Sequence, residues 1–304
     1  MNPKHIILTL LIMLCPIGMA AQTTITRHRP KQTVTKHKPA AKPKTKHKPA
    51  SRRNNTSHSN NTNHSDSISS TTGLSAELNK LINDMVYVSG GTFTMGGTSE
   101  QGNDAYTDEK PTHNVTLSSY YICKYEVTQA LWRAVMGSNP SNFKGDNLPV
   151  ECVSWNDCQT FINRLNSYTD HNFRLPTEAE WEFAARGGNY SRHYKYSGSN
   201  NFDDVAWYDD NSGNRTQPVG TKQPNELGLY DMSGNVYEWC GDWYGSYSSY
   251  SQSNPTGPNS GYSRVFRGGS WRGIAWYCRS SYRGNGTPSY RDCYLGLRLV
   301  LSQL

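Results

Sequence analysis

Arg264-Val-Phe-Arg-Gly-Gly-Ser-Trp-Arg-Gly-Ile-Ala-Trp-Tyr-Cys-Arg-Ser-Ser-Tyr-Arg283, followed by Leu295-Gly-Leu-Arg298, is the stretch on which the fold turns. Large aromatic residues alternate here with glycine, serine and arginine. The same texture runs back through the chain, since all eight tryptophans lie between Trp132 and Trp276 with Gly, Pro, Asn and Ser between them. That density points to a compact core wrapped by long ordered loops, rather than to layered helices and strands. No repeat period appears.

Upstream the composition changes. Residues 1–21 carry Lys4, an apolar run from Ile6 to Leu14, and Gly18, Ala20 and Ala21 at the end. This is the pattern of a secretory signal peptide. The run is too short to span a bilayer, and no later segment is long enough, so an exported protein without a transmembrane segment is expected, in the periplasm, at the cell surface or secreted. The residues ahead of Cys15 lack the small side chains of a lipoprotein cleavage site. Residues 22–72 hold eleven Lys or Arg, five His and one acid, with Thr-Lys-His-Lys-Pro-Ala at 35–40 and again at 45–50, then a Ser/Asn-rich run. With so little to bury, this segment reads as a disordered basic linker. Residues 73–304 carry 19 basic against 23 acidic residues, so the basic balance belongs to the linker and not to the domain. The linker reads either as a solvated spacer or as a contact to an anionic surface of the envelope; no nucleic acid partner is expected.

The remaining length fits one domain. Ser75 to Ile82 predicts a short entry helix capped by Ser75. Met85–Gly97 alternates around Gly90-Gly91 as a two-stranded ribbon would. Residues 114–126 read as strands, leading to a helix capped by Thr128 and closed by Gly137. Ser154 with Asp157, and Thr177 with Glu180, are capping boxes for two further helices, the second ending at Gly187-Gly188.

A nucleophile elbow, a phosphate-cradling glycine loop and a His-Glu-x-x-His pattern are absent. His113, His171 and His193 stand in unlike contexts, each reading as a surface or loop residue, and supply neither a triad nor a histidine metal site. Six cysteines follow the leader (Cys123, Cys152, Cys158, Cys240, Cys278, Cys293); fifteen disulfide pairings are open and none is selected. Two loops are rich in oxygen donors: Asp203-Asp204-Val205 with Asp209 to Asn214, and Asp231-Met-Ser-Gly-Asn-Val-Tyr-Glu238. Carboxylates and turned backbone carbonyls of this kind suit calcium, although such loops are often ordinary turns.

Several motifs occur in one order: Met85-Val-Tyr-Val-Ser-Gly-Gly-Thr-Phe-Thr-Met-Gly96, Tyr125-Glu-Val-Thr-Gln129, Val153-Ser-Trp-Asn-Asp157, Arg174-Leu-Pro-Thr-Glu-Ala-Glu-Trp-Glu-Phe-Ala-Ala-Arg-Gly-Gly188, Asn225-Glu-Leu-Gly-Leu-Tyr230, Gly234-Asn-Val-Tyr-Glu-Trp239 and Arg267-Gly-Gly-Ser-Trp271. As a set they resemble the formylglycine-generating enzyme, or sulfatase-modifying factor, family over about residues 85–300. The resemblance implies an α+β single domain related to C-type lectins, with little regular secondary structure. It implies one calcium site at Asp231, Gly234, Val236 and Glu238, and a second at Asp204, Val205, Asn211 and Gly213. The family's oxidases hold copper(I) with two cysteines shortly after Gly-Gly-Ser, because a soft metal needs thiolates. Here the first position is Gly273, and Cys278 falls on the second only when counted without gaps. Copper is therefore not expected, and Cys278 is the one weak catalytic candidate.

Two readings follow. One is a non-catalytic, calcium-stabilised binding or scaffold module of the cell envelope, binding protein or glycan in a pocket framed by Trp207, Trp243, Trp271 and Trp276. The other is an oxidase of the formylglycine-generating family acting on a protein cysteine or another substrate.

Overall fold

Thr177-Glu-Ala-Glu180 begins the central helix by a reciprocal cap: Thr177 accepts the Glu180 amide, and the Glu180 carboxylate accepts the Thr177 amide at 2.8 Å. Every residue from Glu178 to Ala185 is buried, so this helix is a core rod rather than an amphipathic surface helix. The computed structural model describes residues 63–302. The leader and most of the basic linker lie outside the described residues.

Four helices organise the domain: α1 (Asn63–Asn83), α2 (Gln129–Met136), α3 (Trp155–Asn166) and α4 (Glu178–Ala185). The cap of α2 is Thr128, whose Oγ1 accepts the Leu131 amide, and Gly137 closes it at φ +76°. The α3 cap is the expected Ser154/Asp157 box. Helix α1 differs from expectation. It starts ahead of Ser75 and inside the segment read as linker, so Ser75 is an interior helical residue and not a cap. Leu74, Leu78, Leu81 and Ile82 of α1 pack on the core, which also takes the stacked pair Trp132–Phe161, 4.7 Å between rings.

The strands are short: β1 (Met85–Val88), β2 (Gly91–Met95), β3 (His113–Leu117), β4 (Tyr120–Cys123), β5 (Ala206–Trp207), β6 (Ser233–Gly234), β7 (Tyr237–Trp243), β8 (Gln252–Ser253), β9 (Arg264–Arg267), β10 (Arg283–Gly286), β11 (Leu295–Gly296) and β12 (Val300–Leu301). They form small sheets in the orders β1-β4-β12, β10-β9-β7-β11, β2-β3-β8 and β5-β6. The expected ribbon of β1 on β2 does not form. Instead β1 pairs with β4 (Met85↔Cys123), and β2 pairs with β3 (Met95↔His113). The reason lies at Gly90, where a Cβ would come 2.5 Å from the Leu117 carbonyl oxygen. The glycine lets the chain cross against the β3–β4 turn and pass from one sheet to the next. His113, expected at the surface, is buried on β3 against the Tyr247 ring.

The long loops are held by buried ion pairs. Arg267 reaches Glu178 at 2.6 Å and Glu182 at 2.7 Å, and Arg279 reaches Glu109 at 2.6 Å. Such pairs add little net stability over apolar packing, but losing one partner strands a buried charge. They fix where the loop 268–294 lies on the core, and that loop builds the site.

Candidate functional site

The Gly268-Gly269 turn sets the fate of Gly273 and Cys278. Gly269 has φ +77°, and a Cβ on it would lie 2.6 Å from the Cys278 sulfur. Cys278 is thus packed directly behind the turn, fully buried, with its carbonyl accepting from Ser233 Oγ at 2.7 Å. Burial pushes its thiol up to about 12. Gly273 instead lines an open cleft of about 540 Å³, which Cys278 does not reach.

The walls of that cleft are phenol rings. Tyr277 and Tyr282 stack at 4.7 Å, and Tyr237 meets Tyr294 at 5.9 Å and Phe266 at 4.8 Å. Burial raises Tyr282 to about 12 and holds Tyr237 well above its ordinary range, so both phenols stay neutral at physiological pH. Arg283 at the edge is committed to Glu178, at 2.6 and 2.8 Å. Arg272 is exposed and makes no ion pair among the described residues. In the segment between Gly273 and Tyr277, Ile274 and Trp276 stand exposed, Trp276 by 51%. The arrangement offers aromatic ring faces and one free guanidinium, with Ser270 and Asp108 among its other polar groups, the Asp108 Oδ2 accepting from the Tyr244 hydroxyl. Sequence reasoning missed these tyrosines and Arg272; their one signal was proximity in sequence to Gly273.

The four tryptophans do not frame a common pocket. Trp271 is buried and donates its indole N–H to the Cys293 carbonyl, and Trp207 donates to Thr221 Oγ1. Trp243 is covered by the Arg264 guanidinium at 3.5 Å and borders a different cleft. Packing has used the indole N–H groups of Trp207 and Trp271 and one face of Trp243, while Trp276 stands exposed apart from them. All six cysteines are free thiols.

The first set of calcium candidates converges on a buried carboxylate cluster. Asp231 sits at φ +58° with Oδ2 accepting the Gly220 amide at 2.7 Å, while its buried Oδ1 has no partner. Gly234 and Val236 lie on the following turn, and the Val236 amide donates to Glu126 Oε1 at 3.1 Å. Glu238 is clasped by Arg298 and by the Trp181 indole N–H. Glu126, which the sequence reading did not select, completes the group. Burial, then Asp231 and Glu238, hold its carboxyl well above the usual range, and burial raises Asp231 to about 6. Three acidic groups thus face one guanidinium with the Asp231 Oδ1 orphaned, but among the described residues no three His, Cys, Asp or Glu side chains are grouped to hold a metal ion, so a cation here would depend on backbone carbonyls as well.

The second set is brought together less. Asp204 spends its oxygens on Ser199 and Asn201, Asn211 accepts the Tyr208 amide and donates to the Ala206 carbonyl, Val205 is buried in a single helical turn, and Gly213 provides a φ of +66°. None of these four has an orphaned buried oxygen.

Residues 71–303 match the model of the sulfatase-modifying factor enzyme 1-like domain. A protein of Paenibacillus barcinonensis called chaperone protein LppX is 38% identical over 271 residues, covering 73% of this chain and 90% of that protein. The formylglycine-generating enzyme of Streptomyces coelicolor is 36% identical over 191 residues, 57% of this chain and 58% of the enzyme. Among solved structures, Treponema denticola variable protein 1 superposes with a TM-score of 0.66 at 35% identity, covering 72% of this chain and 94% of that one. The α+β architecture with short strands and long loops is that of these relatives, and the chain belongs to the sulfatase-modifying factor, or formylglycine-generating enzyme, domain family.

Proposed function

We propose that this domain is a non-catalytic binding module of the cell envelope, stabilised by calcium, whose ligand lies in the tyrosine-walled cleft at Gly273. The observation that carries the reading is the split between Gly273 and Cys278: the residue at the cleft floor has no side chain, and the only thiol near it in sequence is sealed behind Gly269. A copper(I) site needs two accessible thiolates, and this cleft offers none. Rigid aromatic faces with one free arginine are instead the composition of binding surfaces, where Tyr, Trp and Arg carry most of the energy. The relative named a chaperone favours protein over glycan as the ligand.

Calcium, when bound, would be held by Asp231 and Glu238 with backbone oxygens of Gly234 and Val236, beside the Glu126 carboxyl. The ion would supply positive charge to a buried cluster and fix the turn that precedes β7. The alternative, an oxidase acting on a protein cysteine, rests on the family alone.

The test is copper. Purified protein titrated with copper(I) should bind no stoichiometric metal, and a Cys-x-Pro-x-Arg peptide should stay unoxidised with copper and oxygen present. Stoichiometric uptake lost in Cys278→Ala would overturn the reading. For the ligand side, suppression of aggregation of reduced insulin by the protein, lost in Tyr277→Ala and Arg272→Ala, is the expected result; equal suppression by the variants places the binding elsewhere.

A further inference from the structure

A second pair of clefts opens on the far side of β7, beneath the loop from Tyr244 to Ser263. One holds about 310 Å³ and the other about 520 Å³, and Asp242 and Thr256 line both. Asp242 is only 5% exposed. Its Oδ2 accepts the Glu178 amide at 2.9 Å at the start of α4, while Oδ1 has no hydrogen bond among the described residues and is not sealed from the cleft. A carboxyl so deeply placed with one oxygen left over is the kind of group that proteins satisfy with a partner. Gly257 makes the junction tight: at φ +71°, a Cβ there would be 2.9 Å from the Asp242 Cβ and 3.1 Å from Oδ1.

We propose that this double cleft is a binding site for a neutral saccharide, with the Asp242 carboxyl pairing to sugar hydroxyls at the junction of the two lobes. Three features of the lining point to that class. The charges beside it are already spent: Glu178 binds Arg283 and Arg267, Arg267 also binds Glu182, and in the larger lobe Arg174 is held by both oxygens of Glu180, so each arginine of the lining is already paired. The carboxyl itself is raised to about 7 by burial and then by Glu178, so near neutral pH it carries only part of a charge and can both donate to and accept from hydroxyls. The remaining walls alternate Ser246, Gln252 and Thr256 with Pro255, Pro258 and the edge of Trp243, donors and acceptors interleaved with apolar surface. A sugar ring presents that mixture, hydroxyls around its edge and C–H groups on its faces. The lobes are within the ordinary size range of ligand pockets, about 300–1,000 Å³. Arg283 borders both this site and the tyrosine cleft, but the two share no other lining residue, so variants can address the sugar site and the module's protein site one at a time.

The experiment is calorimetric titration of the full chain with four neutral trisaccharides, namely maltotriose, cellotriose, mannotriose and N-acetylchitotriose. Binding of at least one is expected, weakened about tenfold or more by Asp242→Ala and by Thr256→Val, the loss of one or two hydrogen bonds to a ligand. Because Asp242→Ala removes a contact to α4, Thr256→Val and Gln252→Ala on the roof loop serve as variants that spare the core. The absence of a binding isotherm for all four sugars at about 100-fold excess over protein overturns the proposal. So does binding that these variants leave unchanged, or that Tyr277→Ala abolishes, which would assign the sugar to the tyrosine cleft and overturn the separation of the two sites.

Discussion

Glu238 and Arg298 face each other with both side chains fully buried, Nη2 lying 2.7 Å from Oε1 and Nε near both carboxylate oxygens. This one guanidinium also has Glu126 and Asp231 within its field, so the cluster is short of positive charge. Added calcium should therefore raise the unfolding free energy by about 2.7 kcal/mol at a concentration a hundred times its dissociation constant. Asp231→Ala should remove the shift, as followed by denaturant melts with calcium and with chelator. An identical melt in both conditions would show that the orphaned Asp231 oxygen does not recruit the ion.

Removing the cation should hurt more than neutralising the pair. Arg298→Met leaves Glu238 buried without its partner and should cost about 3–5 kcal/mol, whereas Arg298→Met combined with Glu238→Gln should recover part of that loss. Urea unfolding of the two variants measures the difference. Equal destabilisation would mean that the bonds of Arg298 to the Cys123 and Tyr230 carbonyls, not the ion pair, dominate.

Legibility in the sequence followed the range of the interaction. The caps at Thr128, Ser154 and Thr177 were readable because a cap is settled within four residues. The strand partners of Met85–Met95 were not: Gly90-Gly91 resembles a tight turn, and only the distant Leu117 backbone pressed on Gly90 shows that the chain crosses between sheets. At the site, the loss of a thiol at Gly273 was plain from the letter itself. The burial of Cys278 was not, since it depends on Gly269 folding back over it. Glu126 escaped notice because it lies 105 positions before Asp231, and no local pattern ties a lone glutamate to a turn that far along the chain.

The packing of Cys278 has a direct chemical consequence. Burial raises the thiols of Cys278 and Cys152 alike to about 12, so access decides between them, and a thiol sealed from solvent as Cys278 is should resist modification in the folded protein. Cys152 and Cys293 are partly exposed and should react first with a small disulfide reagent, with Cys123, Cys158, Cys240 and Cys278 following only on unfolding. Mass spectrometry of the labelled native protein reads the order. Gly273→Cys should add a reactive thiol without creating a copper(I) site, because its would-be partner stays behind Gly269; stoichiometric copper in that variant would show that the Gly268-Gly269 turn opens.

The protonation of Asp242 gives the stability a pH dependence of known sign. Burial, then the neighbouring Glu178 and Glu180, push the carboxyl up, while the Glu178 amide and Arg283 oppose them, leaving it at about 7 against an ordinary 3.8. Below about pH 4 both folded and unfolded chains carry the proton, and the contribution is fully present. Between about 4 and 7 only the folded chain keeps it, so this contribution falls as pH rises, by roughly 4 kcal/mol over the interval at 1.36 kcal/mol per unit, and is gone above 7. Asp242→Asn cannot lose a proton and should gain on the wild type as pH rises from 5 to 8, with urea midpoints at the two pH values as the measurement. Asp231 and Glu126 titrate in the same direction in both proteins, so the difference between them isolates Asp242. A difference that stays constant over that range would mean the Asp242 carboxyl is already ionised in the fold at pH 5.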